Sequence, residues 1–386
     1  MNGASKPIVL GIIAGERSGE RLAADMVAAL KAQTGREIRL VGVGGHELSA
    51  LGLNSLFDAD DIALVGISAV LKALPKLWIR IRQAAAGLIA AKPDAIVLVD
   101  SPDFSHRVAK RVKAAMPDVP IVKYVAPTVW AWRPGRAVKM VPTIDAVLAL
   151  FPFEPHVMEA LGGPPTHFVG HPLVSDVGLN DVRAQRANHV NRVPLRLLLL
   201  PGSRKSEISA LIGDMRKTVD DFVASGRALT IDMPTLPRQR ARLEAAVADW
   251  PVKPNITTGR DAQLAAYARA DVALAASGTV LLELALAGVP AISIYRTDLI
   301  ARAILARSAL WSAALPNIIT DQIVVHEFYD HMISPKALRI LLADLADTAS
   351  PRHRAIMDGY QAVAAAMDSD EPASVLAARV VASLLR

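Results

Sequence analysis

The chain has 386 residues and a mass of 41.1 kDa, 52% hydrophobic and 21% charged, which excludes a disordered chain and suits two domains at about 100–200 residues each. It contains no cysteine, so disulfide scaffolds, thiolate-held zinc, iron–sulfur clusters and thiol catalysis are excluded together. The net charge of +6 is unevenly placed: Val70 to Met140 holds thirteen Lys/Arg against four Asp/Glu, so the remainder is slightly acidic.

From the N-terminus, the first apolar run, Ile8–Ala14, is of strand length and ends in Gly15-Glu16, which reads as a strand and not as a signal peptide. Its loop, Gly15-Glu16-Arg17-Ser18-Gly19, lacks the dinucleotide G-x-G-x-x-G spacing. Gly15 and Gly19 permit close backbone approach, and Ser18 is placed to cap the following helix or bind a hydroxyl or phosphate. Leu22, Ala23, Met26, Val27 and Leu30 then recur at helical spacing, and Ile38–Val43 reads as a second strand. Asp58-Ala-Asp60 and Asp368-Ser-Asp370 read as polar turns, and no metal is expected.

The basic stretch interleaves Lys72, Lys76, Arg80 and Arg82 with Leu71, Leu74, Leu77, Trp78, Ile79 and Ile81, the pattern of a segment lying on an anionic membrane surface. Pro75 is expected to break it into two short helices. Nucleic acid is disfavoured, since no zinc-finger, RNP or basic-zipper pattern accompanies the charge. No spanning helix is expected: the longest apolar candidate, Val272–Tyr295, is cut by Glu283 and by Ser277, Gly278, Gly288 and Pro290.

Ala95–Val99 reads as a strand that delivers Asp100 at its carboxyl end, where a carboxylate can accept a proton from an attacking hydroxyl. Asp103 suits a helix cap better, which leaves Asp100 for chemistry. Ile121–Val125 leads into Trp130 and Trp132, either core anchors or a platform for a sugar or an acyl chain. Ala146–Ala149 and His167–Val169 complete the first set of strands. Residues 173–193 show no sustained period and read as a linker between domains at 1–172 and 194–350.

The second set reads Leu195–Leu200, Leu229–Met233, Val272–Ala275 and Ala291–Ile294, with helices to the end after Pro335. Strand–helix alternation of this kind implies two doubly wound parallel sheets, with chemistry in the loops after the strands and a cleft between the domains. Pro201-Gly202-Ser203-Arg204 is a glycine turn with a cation before a helix, an anion site without P-loop spacing. Ser277-Gly278-Thr279 opens another helix, with Glu283 four residues on. Its backbone N–H groups suit a diphosphate, and its carboxylate a ribose diol.

At these residues the chain resembles the lipid-A-disaccharide synthase family, nearly end to end. The shared motifs are AGERSGE at Ala14–Glu20, GVGG at Gly42–Gly45, VGISAVL at Val65–Leu71, DSPDF at Asp100–Phe104 and YVAPTVWAWR at Tyr124–Arg133. FPFE at Phe151–Glu154, FVGHPL at Phe168–Leu173, LLPGSRKSEI at Leu199–Ile208, SGTVLLE at Ser277–Glu283 and LPN at Leu315–Asn317 follow. The pattern is departed from at three places: Glu20 for Asp, Ser101 and Ser105 for the Ala and Asn of DAPDF-Asn, and Thr320-Asp321-Gln322 for Ala-Gly-Arg.

The resemblance implies the two-domain GT-B fold, with the last segment, 351–386, crossing back to the first domain. It implies an inverting, metal- and cofactor-independent transfer of diacylglucosamine from UDP to the 6-hydroxyl of diacylglucosamine 1-phosphate, forming the β-1,6 disaccharide precursor of lipid A. Asp100, Glu16 and Arg204 are then the catalytic candidates. Ser203, Glu207, Ser277, Gly278, Thr279, Glu283 and Asn317 join Arg204 on the donor side. Gly15, Ser18, Gly19, Trp130 and Trp132 fall on the acceptor side. The expected setting is the inner face of the cytoplasmic membrane; the family implies that dimers occur, and the sequence leaves oligomeric state open. Other enzymes of this fold that use UDP-N-acetylglucosamine, a peptidoglycan-intermediate transferase or an epimerase, are the alternatives. A non-catalytic membrane adaptor leaves the cleft carboxylate and both anion loops unexplained.

Overall fold

The computed structural model describes residues 6–62, 67–190, 193–297 and 310–385, with the side chains of residues 17 and 67–74 outside that description. The chain forms two compact units, Met1–Pro172 with Ser369–Arg386, and Leu173–Asp368. Each is built on a six-stranded sheet, parallel at every pairing.

In the first unit β1 (Ile8–Ala14), β2 (Ile38–Val43), β3 (Ala95–Val99), β4 (Ile121–Tyr124), β5 (Ala146–Ala149) and β6 (Thr166–Phe168) lie in the order β2-β1-β3-β4-β5-β6. Sequences such as IVLGIIA and AIVLV are apolar at successive positions, so both sheet faces must be covered. One face takes Leu22, Met26 and Leu30 of the helix Arg17–Thr34, with Ala377, Ala378 and Val381 of the helix Ala373–Leu384. The other takes Ile81, Ala84 and Leu88 of the helix Ile67–Ala91, with Phe104, Val108 and Val112 of the helix Pro102–Ala115. Close packing needs glycine at Gly42 (φ 141°), where a Cβ would stand 1.8 Å from the Ile12 carbonyl oxygen.

In the second unit β7 (Leu195–Leu200), β8 (Leu229–Thr235), β9 (Asn255–Thr258), β10 (Val272–Ala276), β11 (Ala291–Tyr295) and β12 (His326–Tyr329) run β12-β11-β10-β7-β8-β9. Counted within the unit, this is the Rossmann order. Sequence patterning misses β9 and β12, because NITT and HEFY are half-buried edge strands without an apolar run.

Three expectations are corrected. Pro75 does not divide the basic stretch: Ile67–Ala91 is one helix with Pro75 inside it, anchored by its buried C-terminal half. Most of 173–193 is no linker, since the helix Val177–Arg186 buries Leu179, Val182 and Arg186 in the second unit. Its period is hidden from sequence because an arginine fills the third buried position. There Arg186 donates Nε to the Gly288 carbonyl (2.8 Å) and Nη1 to the carbonyls of Tyr267 (3.2 Å) and Ala270, satisfying the ends of two helices. Nor does all of 351–386 return to the first unit. The helix Pro351–Met367 buries Ile356, Tyr360 and Val363 in the second, and only Ala373–Leu384 packs on Arg17–Thr34.

Candidate active site

In the first sheet the strand order reverses between β1 and β3, whose ends are in register at Ala14 and Val99. Loops at such a reversal diverge and leave a crevice beyond the strands' carboxyl ends. Glu16 and Asp100 both emerge there. Glycines let the two loops meet: a Cβ on Gly15 would come within 3.4 Å of Ser101 Oγ, and one on Gly19 within 3.1 Å of Val99 Cγ1. The helix begins at Arg17, so Glu16, half-buried, holds the N-cap position and Ser18 lies exposed within the first turn. Ser18 is therefore not the cap expected from sequence. Glu20, also in that turn, is buried, and its Oε1 accepts the Leu48 N–H (3.1 Å), tying this loop to the one after β2.

The turn after β3 is strained. Asp100 (φ 51°) and Ser101 (φ 42°) are consecutive left-handed residues, a conformation that costs roughly 1–3 kcal/mol each and persists only where neighbours over-determine it. The Asp100 N–H donates to the Tyr124 carbonyl (3.1 Å), and the Asp100 carbonyl accepts from Ser105 Oγ (2.8 Å) and from Lys123 Nζ. Lys123 is fully buried, and sequence reading passed over it as one residue of a strand. Asp103 does not cap the helix, which starts at Pro102. It is 75% exposed and pairs with Arg136 at 2.7 Å.

The two tryptophans take different parts. Trp130 is anchored: its Nε1 donates to Glu154 Oε1 (3.3 Å) and its ring meets Phe153 edge-on at 5.4 Å. Trp132 is exposed, with the Arg133 guanidinium 5.2 Å above its ring. Glu154 also accepts the N–H groups of Leu150 and Phe151 on Oε2, both at 3.1 Å. Burial nevertheless pushes its carboxyl up to about 7, against those three donors. A carboxyl raised in the folded state contributes stability present below the ordinary value of 4.5 and lost as pH rises through about 7. Thermal scans of Glu154→Gln against the parent should therefore show the stability difference moving in the variant's favour across that window.

In the second sheet the order reverses between β7 and β10, paired at Leu200 and Ala275, and the two loops expected to bind anions emerge side by side. Glu207 turns out to belong to the loop itself. Its Oε2 accepts the N–H groups of Ser203 (2.9 Å) and Arg204 (3.1 Å), and Gly202 (φ 103°) leaves room for that carboxylate. Those two N–H groups are thus used internally, and Glu207, expected on the donor side, holds the loop's own main chain. Arg204 remains available: its side chain is 64% exposed, held by one 3.2 Å contact to Glu207. At the second loop Gly278 (φ 146°) would carry a Cβ into open space, Thr279 is exposed, and Ser277 Oγ donates to the Ala313 carbonyl (3.3 Å).

Glu283, half-buried, accepts on Oε2 from Arg260 Nη1 (2.9 Å), Gln263 Nε2 (3.3 Å) and Tyr267 Oη (3.3 Å), leaving Oε1 for a further donor. Arg260 also reaches Asp176 at 3.0 Å, so a residue that no motif marked fixes the orientation of Glu283. Asn317, expected on the donor side, has its polar atoms bonded within the second unit. It is buried; Oδ1 accepts the N–H groups of Val324 (2.9 Å) and Val325 (2.7 Å), and Nδ2 donates to Ser312, Val325 and Glu327. Asn317→Leu should lower the unfolding free energy by about 2–4 kcal/mol, since two buried N–H groups lose their acceptor. Denaturant unfolding measures that loss, and UDP titration of the folded variant should show unchanged affinity.

On the basic helix Lys72 lies outside the described side chains. Lys76 and Arg80 both pair with Asp61, the latter at 2.7 Å, and Arg80 also covers Phe57. They are thus partly neutralised within the unit. Trp78 is 49% exposed beneath the guanidinium groups of Arg82 (5.1 Å) and Arg111 (4.9 Å), and Ile79 is 62% exposed. Asp58 caps its own turn by accepting the Asp60 N–H at 3.0 Å.

The profile of the lipid-A-disaccharide synthetase family matches residues 10–369. The lipid-A-disaccharide synthase of Bradyrhizobium diazoefficiens is 40% identical over 377 residues, covering 97% of this chain and 96% of that protein. That of Rhodopseudomonas palustris strain HaA2 is 41% identical over 382 residues, with 98% and 96% covered. Among solved structures, Acinetobacter baumannii MurG superposes with a TM-score of 0.54 at 17% identity, over 98% of this chain and 99% of that one. The S. aureus MnaA–UDP structure gives 0.60 at 13%, over 98% and 95%. These likenesses establish the two-domain α/β fold of the GT-B enzymes.

Proposed function

The chain belongs to the lipid-A-disaccharide synthase family, and we propose that it divides lipid A disaccharide formation between its two strand-order reversals. The donor is UDP-2,3-diacylglucosamine and the acceptor 2,3-diacylglucosamine 1-phosphate. The acceptor 6-hydroxyl attacks the anomeric carbon while Asp100 takes its proton. The bond from that carbon to the diphosphate breaks on the opposite face, so configuration inverts and UDP leaves. A positioned base contributes about 10²–10⁴-fold. Arg204 and the open backbone at Gly278–Thr279 meet the charge that collects on the departing diphosphate, where stabilisation favours the transition state over bound donor. Glu283 Oε1 takes the ribose diol. Glu16 shares the first reversal with Asp100 and is the second candidate base. Neither metal nor cofactor takes part.

One observation carries this reading: one reversal presents a carboxylate on a strained turn, the other a glycine-opened helix start beside an exposed cation. Purified protein given both lipids should release UDP in equal amount to a disaccharide 1-phosphate. A free epimer from UDP-N-acetylglucosamine, or sugar placed on a polyprenyl acceptor instead, would identify one of the alternative enzymes.

The membrane face is part of the same proposal. Trp78 and Ile79, exposed beside Arg82 and Arg111, support peripheral contact with the anionic inner surface of the cytoplasmic membrane, where both lipid substrates reside. Substituting Trp78 and Ile79 together by serine should cut partitioning onto anionic vesicles at least ~10-fold, since each apolar side chain contributes about 1.5–3 kcal/mol when buried, and should leave UDP affinity intact. Vesicle sedimentation at two salt concentrations measures this; parent-like partitioning would remove the helix from the membrane.

A further inference from the structure

We infer that Lys123 is a positioning residue for the reaction: its buried ammonium fastens the strained main chain from which the Asp100 carboxylate projects. This rests on the reading of Asp100 as the base. Lys123 is the third residue of β4 and has no exposed surface. It shares a sheet face with Ile121, which lies in the apolar cluster under the helices Ile67–Ala91 and Pro102–Ala115. Leucine or methionine would fill such a position at no electrostatic cost, whereas a buried ammonium is expensive unless it is paired and hydrogen-bonded. What it holds is the Asp100 carbonyl, at the first of the two left-handed residues.

Three hydrogen bonds fix that residue's main chain, and two of them come from neighbouring positions on β4: the Tyr124 carbonyl takes the Asp100 N–H, and Lys123 Nζ reaches the Asp100 oxygen. The third is from Ser105 Oγ. Two charged or titratable groups face the ammonium. Asp100, from the end of β3, favours its charge; His106, from the helix Pro102–Ala115, is pushed down to about 4, first by burial and then by the Lys123 charge. Arg136 and Asp103 act on His106 in opposite senses. Burial pushes Lys123 itself down to about 7, so the clamp exchanges between ammonium and amine near neutrality.

The test is Lys123→Met in the full chain, run beside Asp100→Asn. Methionine keeps the stem and leaves the Asp100 carbonyl its bond from Ser105 Oγ, so the variant should fold, with an unfolding temperature somewhat below the parent's. With the carboxylate no longer held in place, kcat should fall about 10²-fold while KM for both lipids and UDP affinity stay within about twofold. In the parent kcat should also decline as pH rises through about 7, and in Lys123→Met that decline should be absent. If Lys123→Met does not fold, Lys123→Arg decides: a permanent cation that abolishes the decline supports the inference, and a parent-like decline overturns it. Turnover of Lys123→Met within about threefold of the parent, with Asp100→Asn inactive, leaves Lys123 as packing only and overturns the inference. Full turnover in Asp100→Asn overturns the Asp100 reading, and this one with it.

Discussion

Asp100→Asn should reduce turnover at least ~10²-fold and leave UDP affinity unchanged. The substitution is clean for structural reasons. The hydrogen bonds that shape the turn use main-chain groups of Asp100, to Tyr124, Ser105 and Lys123, and the Ser101 carbonyl, which accepts the N–H groups of Phe104 and Ser105, so exchanging the carboxylate for an amide leaves them in place. Asparagine is among the few residues that tolerate a left-handed conformation, so φ 51° is no obstacle to folding. The amide cannot take a proton, so the loss falls on kcat and not on UDP binding. Normal turnover would move the base role to Glu16.

Arg204→Ala should weaken UDP binding about 10- to 100-fold, because a charge-assisted hydrogen bond is worth roughly 1.5–3 kcal/mol. Its guanidinium is the exposed cation of the first anion loop, lightly held by Glu207. The loop should survive the change, since Glu207 holds it through the main-chain N–H groups of Ser203 and Arg204, and Gln239 donates to the Ser203 carbonyl at 3.1 Å. The affinity lost then reports the guanidinium and not the turn. Calorimetric titration of UDP measures it, and unchanged affinity would take the diphosphate away from this loop.

The parts of this fold that could be read from sequence are those where one physical rule acts alone. Runs such as Ala95–Val99 are buried on both sheet faces, so strand and boundary follow from hydropathy. The loops bearing Asp100, Arg204 and Thr279 could be placed for a related reason: each follows directly on such a strand. The edge strands of the second sheet, Asn255–Thr258 and His326–Tyr329, fail the same test, because one flank meets no neighbouring strand and polar residues are admitted. Glu207 and Asn317 had the right type and place to hold a ligand, yet the fold spends both on its own N–H groups. Pattern cannot separate those uses, since the same carboxylate or amide serves either. Lys123 and Arg260 were invisible for the opposite reason. A lysine within a strand or an arginine opening a helix reads as solvated surface, and only the contacts to Asp100 and Glu283 show otherwise.

The division of the reaction between the two strand-order reversals is tested most directly by one calorimetric series: UDP affinity of the parent, Asp100→Asn, Arg204→Ala and the double variant. Independent sites give additive changes, so Asp100→Asn should bind UDP like the parent and the double variant should bind it like Arg204→Ala alone, within about 0.5 kcal/mol. A loss of UDP affinity in Asp100→Asn as large as that in Arg204→Ala would put the carboxylate in the donor site and contradict the division.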